Sequence, residues 1–132
     1  MSWNRARVDE NDPRFSLGLP SHNDASLLFL QAAISKLKSP EEGGGILLAL
    51  TPTGNLVGEG DKTEIISGLV DRDLVQAVIA LPSRLVSNTA TPMYLVVFSN
   101  SKKPNWTNKV QLVDVRSEFE ELPGKGEKQR VV

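Results

Sequence analysis

Leu74-Val-Gln-Ala-Val-Ile-Ala-Leu81 is apolar at every position except Gln76 and is closed by Pro82. Its branched residues and its length, short for a helix, predict a strand. Gly45-Ile-Leu-Leu-Ala-Leu50, closed by Thr51-Pro52-Thr53-Gly54, is unbroken and predicts a strand buried on both faces, the environment of parallel sheets. Between these runs lies Asp61-Lys-Thr-Glu64, an N-cap with Glu three residues on, followed by Ile65, Leu69 and Val70. That pattern predicts a short helix over 61–71 with Asp61 as its cap. Strands joined through a helix run parallel with a right-handed crossover, so 45–50 and 74–81 are expected to be parallel. The connection from Pro82 to Thr91 has no helical period, so Met93-Tyr-Leu-Val-Val-Phe98 is expected to return as an antiparallel strand.

Upstream, Leu27, Leu30, Ile34 and Leu37 recur at spacings of three and four, which predicts an amphipathic helix from Asp24 to Lys38. Asp24 would cap it, with Lys36 and Lys38 in its last turn beside the negative end of the dipole. Residues 1–21, broken by Pro13 and Pro20, read as an extended, weakly ordered lead-in. Downstream, Lys109-Val-Gln-Leu-Val-Asp-Val115 mixes polar and apolar positions as an edge strand does, and Ser117-Glu-Phe-Glu120 opens at most one helical turn. Residues 123–132 read as a charged, flexible tail. Alternating strands and helices define the α/β class, and 132 residues with 39% hydrophobic and 23% charged content fit a single domain over 1–132.

Composition narrows the chemistry. The chain has no cysteine and one histidine, His22, which excludes disulfides, thiolate nucleophiles and Cys- or His-rich metal sites. With 15 basic against 16 acidic residues, the chain does not hold nucleic acid by its own field. No apolar run reaches the ~20 residues of a membrane span and no secretory signal is visible, so a cytoplasmic protein without membrane contact is expected. Gly43-Gly44-Gly45 precedes a strand, whereas phosphate loops follow one, and Gly58-Glu-Gly-Asp-Lys62 lacks the P-loop spacing. Both read as turns. Asn105-Trp-Thr107 is read as a chance match to a glycosylation acceptor, and Glu118, Glu120 and Glu121 as a solvated face.

A longer pattern remains. Asp12-Pro-Arg-Phe-Ser-Leu-Gly18 with Pro20, Ala25 and Phe29-Leu-Gln31, Leu37-Lys38, Leu50-Thr-Pro-Thr-Gly54, Asp73-Leu-Val-Gln-Ala-Val-Ile-Ala-Leu-Pro82, Thr89, Pro92 and Val113-Asp114 occur in that order. Together they resemble one stretch of the modification (methyltransferase) subunit of type I restriction-modification systems, the N-6 adenine DNA methylase family, over residues 3 to 132. The resemblance implies the later half of a Rossmann-like catalytic domain: a mixed, mostly parallel sheet with flanking helices, in which the strand at 93–98 lies between the other two. It also implies methyl transfer from S-adenosylmethionine to the adenine amino group, with DNA, a specificity subunit and a restriction subunit as partners. In that family the catalytic Asn/Asp-Pro-Pro-Phe/Tyr tetrapeptide lies just upstream of the stretch matched by Ser2-Trp3, and the cofactor's glycine motif lies further upstream. The chain is therefore expected to be a fragment that is inactive and binds no cofactor by itself. Thr89, Thr91 and Pro92, on the loop leaving strand 74–81, are the candidates for the wall of the base pocket. Thr53 stands where relatives carry Asn, Ile66 where they carry Arg, and Val86-Ser87 where they carry an aromatic pair. Those departures keep a second reading in view, an α/β module without catalysis that docks onto specificity or restriction subunits.

Overall fold

The computed structural model describes residues 2–4, 7–57, 59–86, 89–123 and 130–131. Gly58, Ser87, Asn88 and most of the expected tail, 124–129, lie outside the described residues. The principal elements are helix α1 (Ser26–Ile34), strand β1 (Ile46–Pro52), the single turn α2 (Thr53–Leu56), helix α3 (Asp61–Asp71), strands β2 (Val75–Ala80), β3 (Met93–Ser99) and β4 (Gln111–Asp114), and a two-stranded ribbon of β5 (Glu120–Glu121) and β6 (Arg130–Val131).

The four-stranded sheet has the order β1-β3-β2-β4. β3 pairs antiparallel with both β1 and β2, which makes those two parallel to each other, and β4 pairs parallel with β2. The inserted antiparallel strand and the parallel flanking pair are as the sequence predicts. Register then sorts the side chains. Leu47 faces Phe98, Ala49 faces Val96 and Thr51 faces Tyr94, and a bulge between Val75 and Ala77 lets both Val75 and Val78 join that side. On this face α1 and α3 bring Leu27, Ile65 and Leu69 against Val75, Val96 and Phe98, which form the core.

Several expectations are corrected. β1 is not buried on both faces: it is an edge strand in which Ile46, Leu48 and Leu50 alternate outward, 64%, 61% and 48% exposed. Its apolar composition matches an interior position that the described residues do not supply. Helix α1 ends at Ile34, so Lys36 and Lys38 lie beyond it. Leu37 keeps the helical spacing but packs from the following turn against Gly45. Asp24 sits just outside the helix, where its carboxylate accepts from the Ser26 amide at 3.0 Å and the Ser26 hydroxyl at 2.6 Å. α3 spans 61–71 as predicted, but Gly60 is its N-cap and Val70 points outward, 45% exposed.

The lead-in is anchored rather than loose. Phe15, Leu19 and Pro20 are buried, the buried Gln31 amide donates to the Gly18 carbonyl at 2.9 Å, and a 3-10 turn at Pro13–Phe15 is capped by Asp12. Isolated apolar anchors on irregular chain leave no period to read. No helix forms at 117–120: a turn at 116–117 leads into β5, which begins at Glu120, and two residues of the expected tail, Arg130 and Val131, are paired as β6. The glycine triplet is a turn: Gly44 has φ +67 and a Cβ there would collide with Ser101, while the Gly45 amide donates to Asn100 at 2.8 Å. It lies at the amino end of β1, remote from the end where α/β sheets bind ligands.

Candidate functional site

β1, β2 and β4 point their carboxyl ends the same way, and the chain leaves β2 through Leu81 and the buried Pro82 to return at Met93. The Leu81 amide donates to the Met93 carbonyl at 3.0 Å and closes the neck of this loop. Beside the neck lies a cavity of about 330 Å³ lined by Thr53, Ser83, Pro92, Tyr94, Arg116 and Arg130 among others. Of the three residues expected at the pocket, Pro92 lines this cavity. Thr89 is half-buried and its hydroxyl accepts from the Thr91 amide at 3.1 Å, so it shapes the loop, while Thr91 is exposed. Val86 is half-buried, and its neighbour Ser87 is among the positions not described.

Sequence reasoning missed the aromatic and cationic parts of the lining. Tyr94 was hidden inside an apolar strand, and it meets both the core and the crevice. Arg116 is locked to Asp114, with Nε to Oδ1 at 2.9 Å and Nη2 to Oδ2 at 2.5 Å. That grip pulls the Asp114 carboxyl down to about 2 and raises the guanidinium. Arg130 arrives from β6: its amide donates to the Arg84 carbonyl at 3.1 Å, its Nη1 donates to the Ser83 hydroxyl at 3.1 Å, and its guanidinium lies 3.7 Å from the Phe119 ring centre. The sequence carried no cue for the Arg130 contacts, because they join positions up to 47 residues apart.

The turn leaving β1 is fixed by a polar knot. Buried Asn55 donates to the Thr51 hydroxyl at 2.9 Å, and Lys62 donates to Asn55 Oδ1 at 3.2 Å, to the Gly54 carbonyl at 3.4 Å and to Asp24 at 2.8 Å. The Lys62 ammonium, then Ser26, hold the Asp24 carboxyl well below the usual carboxylate range. A carboxyl depressed by folding stabilises above its unfolded value, near pH ~4, and loses that contribution as pH falls from there through its lower folded value. The acid limb of the denaturation midpoint against pH is therefore expected to flatten in Asp24→Asn. An unchanged limb would show that the pair adds nothing.

The carboxylates Asp114 and Glu121 pair with Arg116 and Arg130, which line the crevice. The turn after β1 reads Pro52-Thr53-Gly54-Asn55 and lacks a glycine-rich cradle. Among the described residues no cluster of His, Asp or Glu could hold a metal ion, and no helix is long and apolar enough to cross a membrane.

A mixed sheet with helices packed on one face and a crevice at the carboxyl ends of its parallel strands defines an α/β protein of the open-sheet kind. Sequence comparison makes this specific: the profile of the N-6 DNA Methylase family matches residues 1–131, and the chain belongs to that family. It is 31% identical over 115 residues to the type I restriction enzyme HindI methylase subunit of Haemophilus influenzae, covering 86% of this chain and 24% of that one. To the MjaVIII methylase subunit of Methanocaldococcus jannaschii it is 26% identical over 129 residues, 92% of this chain and 21% of that one. The crystal structure of a type I restriction-modification methyltransferase subunit from Streptococcus thermophilus superposes with a TM-score of 0.82 at 26% identity, over 99% of this chain and 26% of that one. The chain thus spans about a quarter of the length of these relatives.

Proposed function

We propose that the chain is the later part of the catalytic domain of a type I modification subunit, which transfers a methyl group from S-adenosylmethionine to the amino group of adenine in DNA. The observation that carries this reading is the family match over residues 1–131. The crevice supports it: Pro92, Tyr94 and Thr53 offer the flat and small surfaces that suit a base turned out of a duplex, Ser83 offers a hydroxyl, and Thr89 and Thr91 stand on the adjoining loop. Within the proposal these residues wall the base pocket. The groups that act on the base belong to the upstream motif that the resemblance implies. With a net charge of -1, this part contributes shape rather than grip, and specificity and restriction subunits are the proposed partners. The decisive assay assembles the complete subunit with its specificity subunit and follows labelled methyl from S-adenosylmethionine into adenine of duplex DNA. An assembly that binds DNA but transfers no methyl would favour the docking module.

A related expectation concerns the chain by itself. Calorimetric titration of residues 1–132 with S-adenosylmethionine should show no binding in the micromolar range, about -8 kcal/mol. A micromolar constant would show that the crevice holds the cofactor unaided.

A further inference from the structure

Ser83 stands on the wall of the crevice with one fixed partner. Arg130 Nη1 donates to its hydroxyl at 3.1 Å, and a guanidinium has donors but no acceptor. At that bond the serine oxygen can only accept, so its own hydrogen is left to donate elsewhere. Among the described residues that hydrogen has no acceptor, and Ser83 lines the cavity of about 330 Å³ with Thr53, Pro92 and Tyr94. Arg130 is itself held from several sides. Its guanidinium lies 3.7 Å from the Phe119 ring centre, its Nη2 is 3.9 Å from Glu121 Oε1, and its amide donates to the Arg84 carbonyl at 3.1 Å. Arg84 is a non-glycine residue at φ +62, a left-handed conformation that persists only where neighbouring contacts impose it. A strained turn and a ribbon 47 residues away in sequence thus converge on the orientation of one serine.

From this we infer that Ser83, oriented by Arg130, donates a hydrogen bond to the ring nitrogen N1 of the adenine turned out of the duplex. Arg130 is a positioning residue that acts through the serine. The inference rests on the proposed function for the identity of the base. Extrusion breaks the Watson–Crick pair and leaves both the amino group and N1 without partners. Within the proposed function the amino group is taken by the upstream motif, so the adjacent N1 is the acceptor still to be satisfied. A ring nitrogen enclosed without a donor loses its hydration for nothing in return. The Ser83 hydroxyl supplies that donor, and the guanidinium bonded to its oxygen polarises the O–H and strengthens it. Guanine, which carries a hydrogen on N1, offers no acceptor at that place.

The test uses the complete subunit assembled with its specificity subunit and duplexes that carry adenine, 1-deazaadenine, 3-deazaadenine or 7-deazaadenine at the target position. Each analogue replaces one ring nitrogen by C–H. Labelled methyl transfer gives kcat/KM for the parent, Ser83→Ala, Arg130→Met and Arg130→Lys. Arg14→Met is the control, because Arg14 pairs with Asp12 at 2.6 Å, lies 5.2 Å from the Phe15 ring centre and lines a separate cavity. On adenine, Ser83→Ala and Arg130→Met should each lose about tenfold, the size of one neutral hydrogen bond. Arg130→Lys should recover most of that loss, and Arg14→Met should match the parent. On 1-deazaadenine all the forms should agree within about twofold, since the bond that the substitutions remove is already absent. Losses that persist in full on 1-deazaadenine would overturn the inference, because a merely structural role slows every substrate alike. So would losses that vanish on 3- or 7-deazaadenine instead. Should Arg130→Met fail to assemble, Ser83→Ala, which removes one atom from a half-buried position, carries the comparison. A complex that methylates no adenine removes the proposed function and this assignment with it, whereas one that methylates adenine with equal losses on both bases removes the assignment alone.

Discussion

Truncating Phe98 to alanine is expected to destabilise the chain by about 3–5 kcal/mol. Phe98 is 1% exposed near the carboxyl end of β3, registered between Leu47 and Val75 and packed with Leu27, Ile65 and Leu69. Both neighbouring strands and both long helices meet at that ring, so none can collapse into the space without leaving its other contacts. Small domains hold about 5–15 kcal/mol in total, and this one has a single covered sheet face, so the loss should leave a large unfolded fraction at room temperature. The check is urea denaturation followed by circular dichroism, comparing midpoints at unchanged slope. Leu112→Ala serves as the control, since Leu112 is 79% exposed on β4 and its loss should stay within about 0.5 kcal/mol. Equal losses at the two positions would mean that the core is misassigned.

The sheet was legible because its strands are short, apolar and separated by strong turn signals, and because one helical and one non-helical connection fix the directions of β1, β2 and β3. The errors share a physical origin. Apolarity reports the environment for which a residue is suited, so Ile46, Leu48 and Leu50 read as buried although nothing described covers them. Spacing reports a face but not where a helix stops, so Leu37 extended the prediction past Ile34. The candidate site was less legible still. Pro92 was visible as punctuation before a strand, whereas Tyr94 looked like core, and Arg116 and Arg130 reach the crevice through a turn and a ribbon with no periodic signature. Long-range polar contacts of this kind depend on tertiary placement, which local patterns do not encode.

Replacing Thr91 by valine in the intact subunit is expected to lower methylation more than tenfold, a barrier increase of about 1.4 kcal/mol. The loop geometry makes this substitution informative. Thr91 is exposed next to Pro92 on the crevice, and the contact that fixes its backbone is accepted by the Thr89 hydroxyl, which Thr91→Val leaves intact. The variant therefore removes one exposed hydroxyl from the loop beside the cavity at nearly constant shape. Thr89→Val differs, because it frees the Thr91 amide and lets the loop depart from its conformation. It should raise the Michaelis constant for DNA as well as slow turnover. Pro92, with its backbone fixed at the entry to β3, holds the wall in both variants. A solvated connection with no role predicts unchanged methylation in Thr91→Val, in Thr89→Val and in a Ser67→Ala control on α3. If Thr91→Val methylates at the parent rate while folding and DNA binding are normal, the loop is a plain link between β2 and β3, and the base pocket must be built from Tyr94 and Thr53 without it.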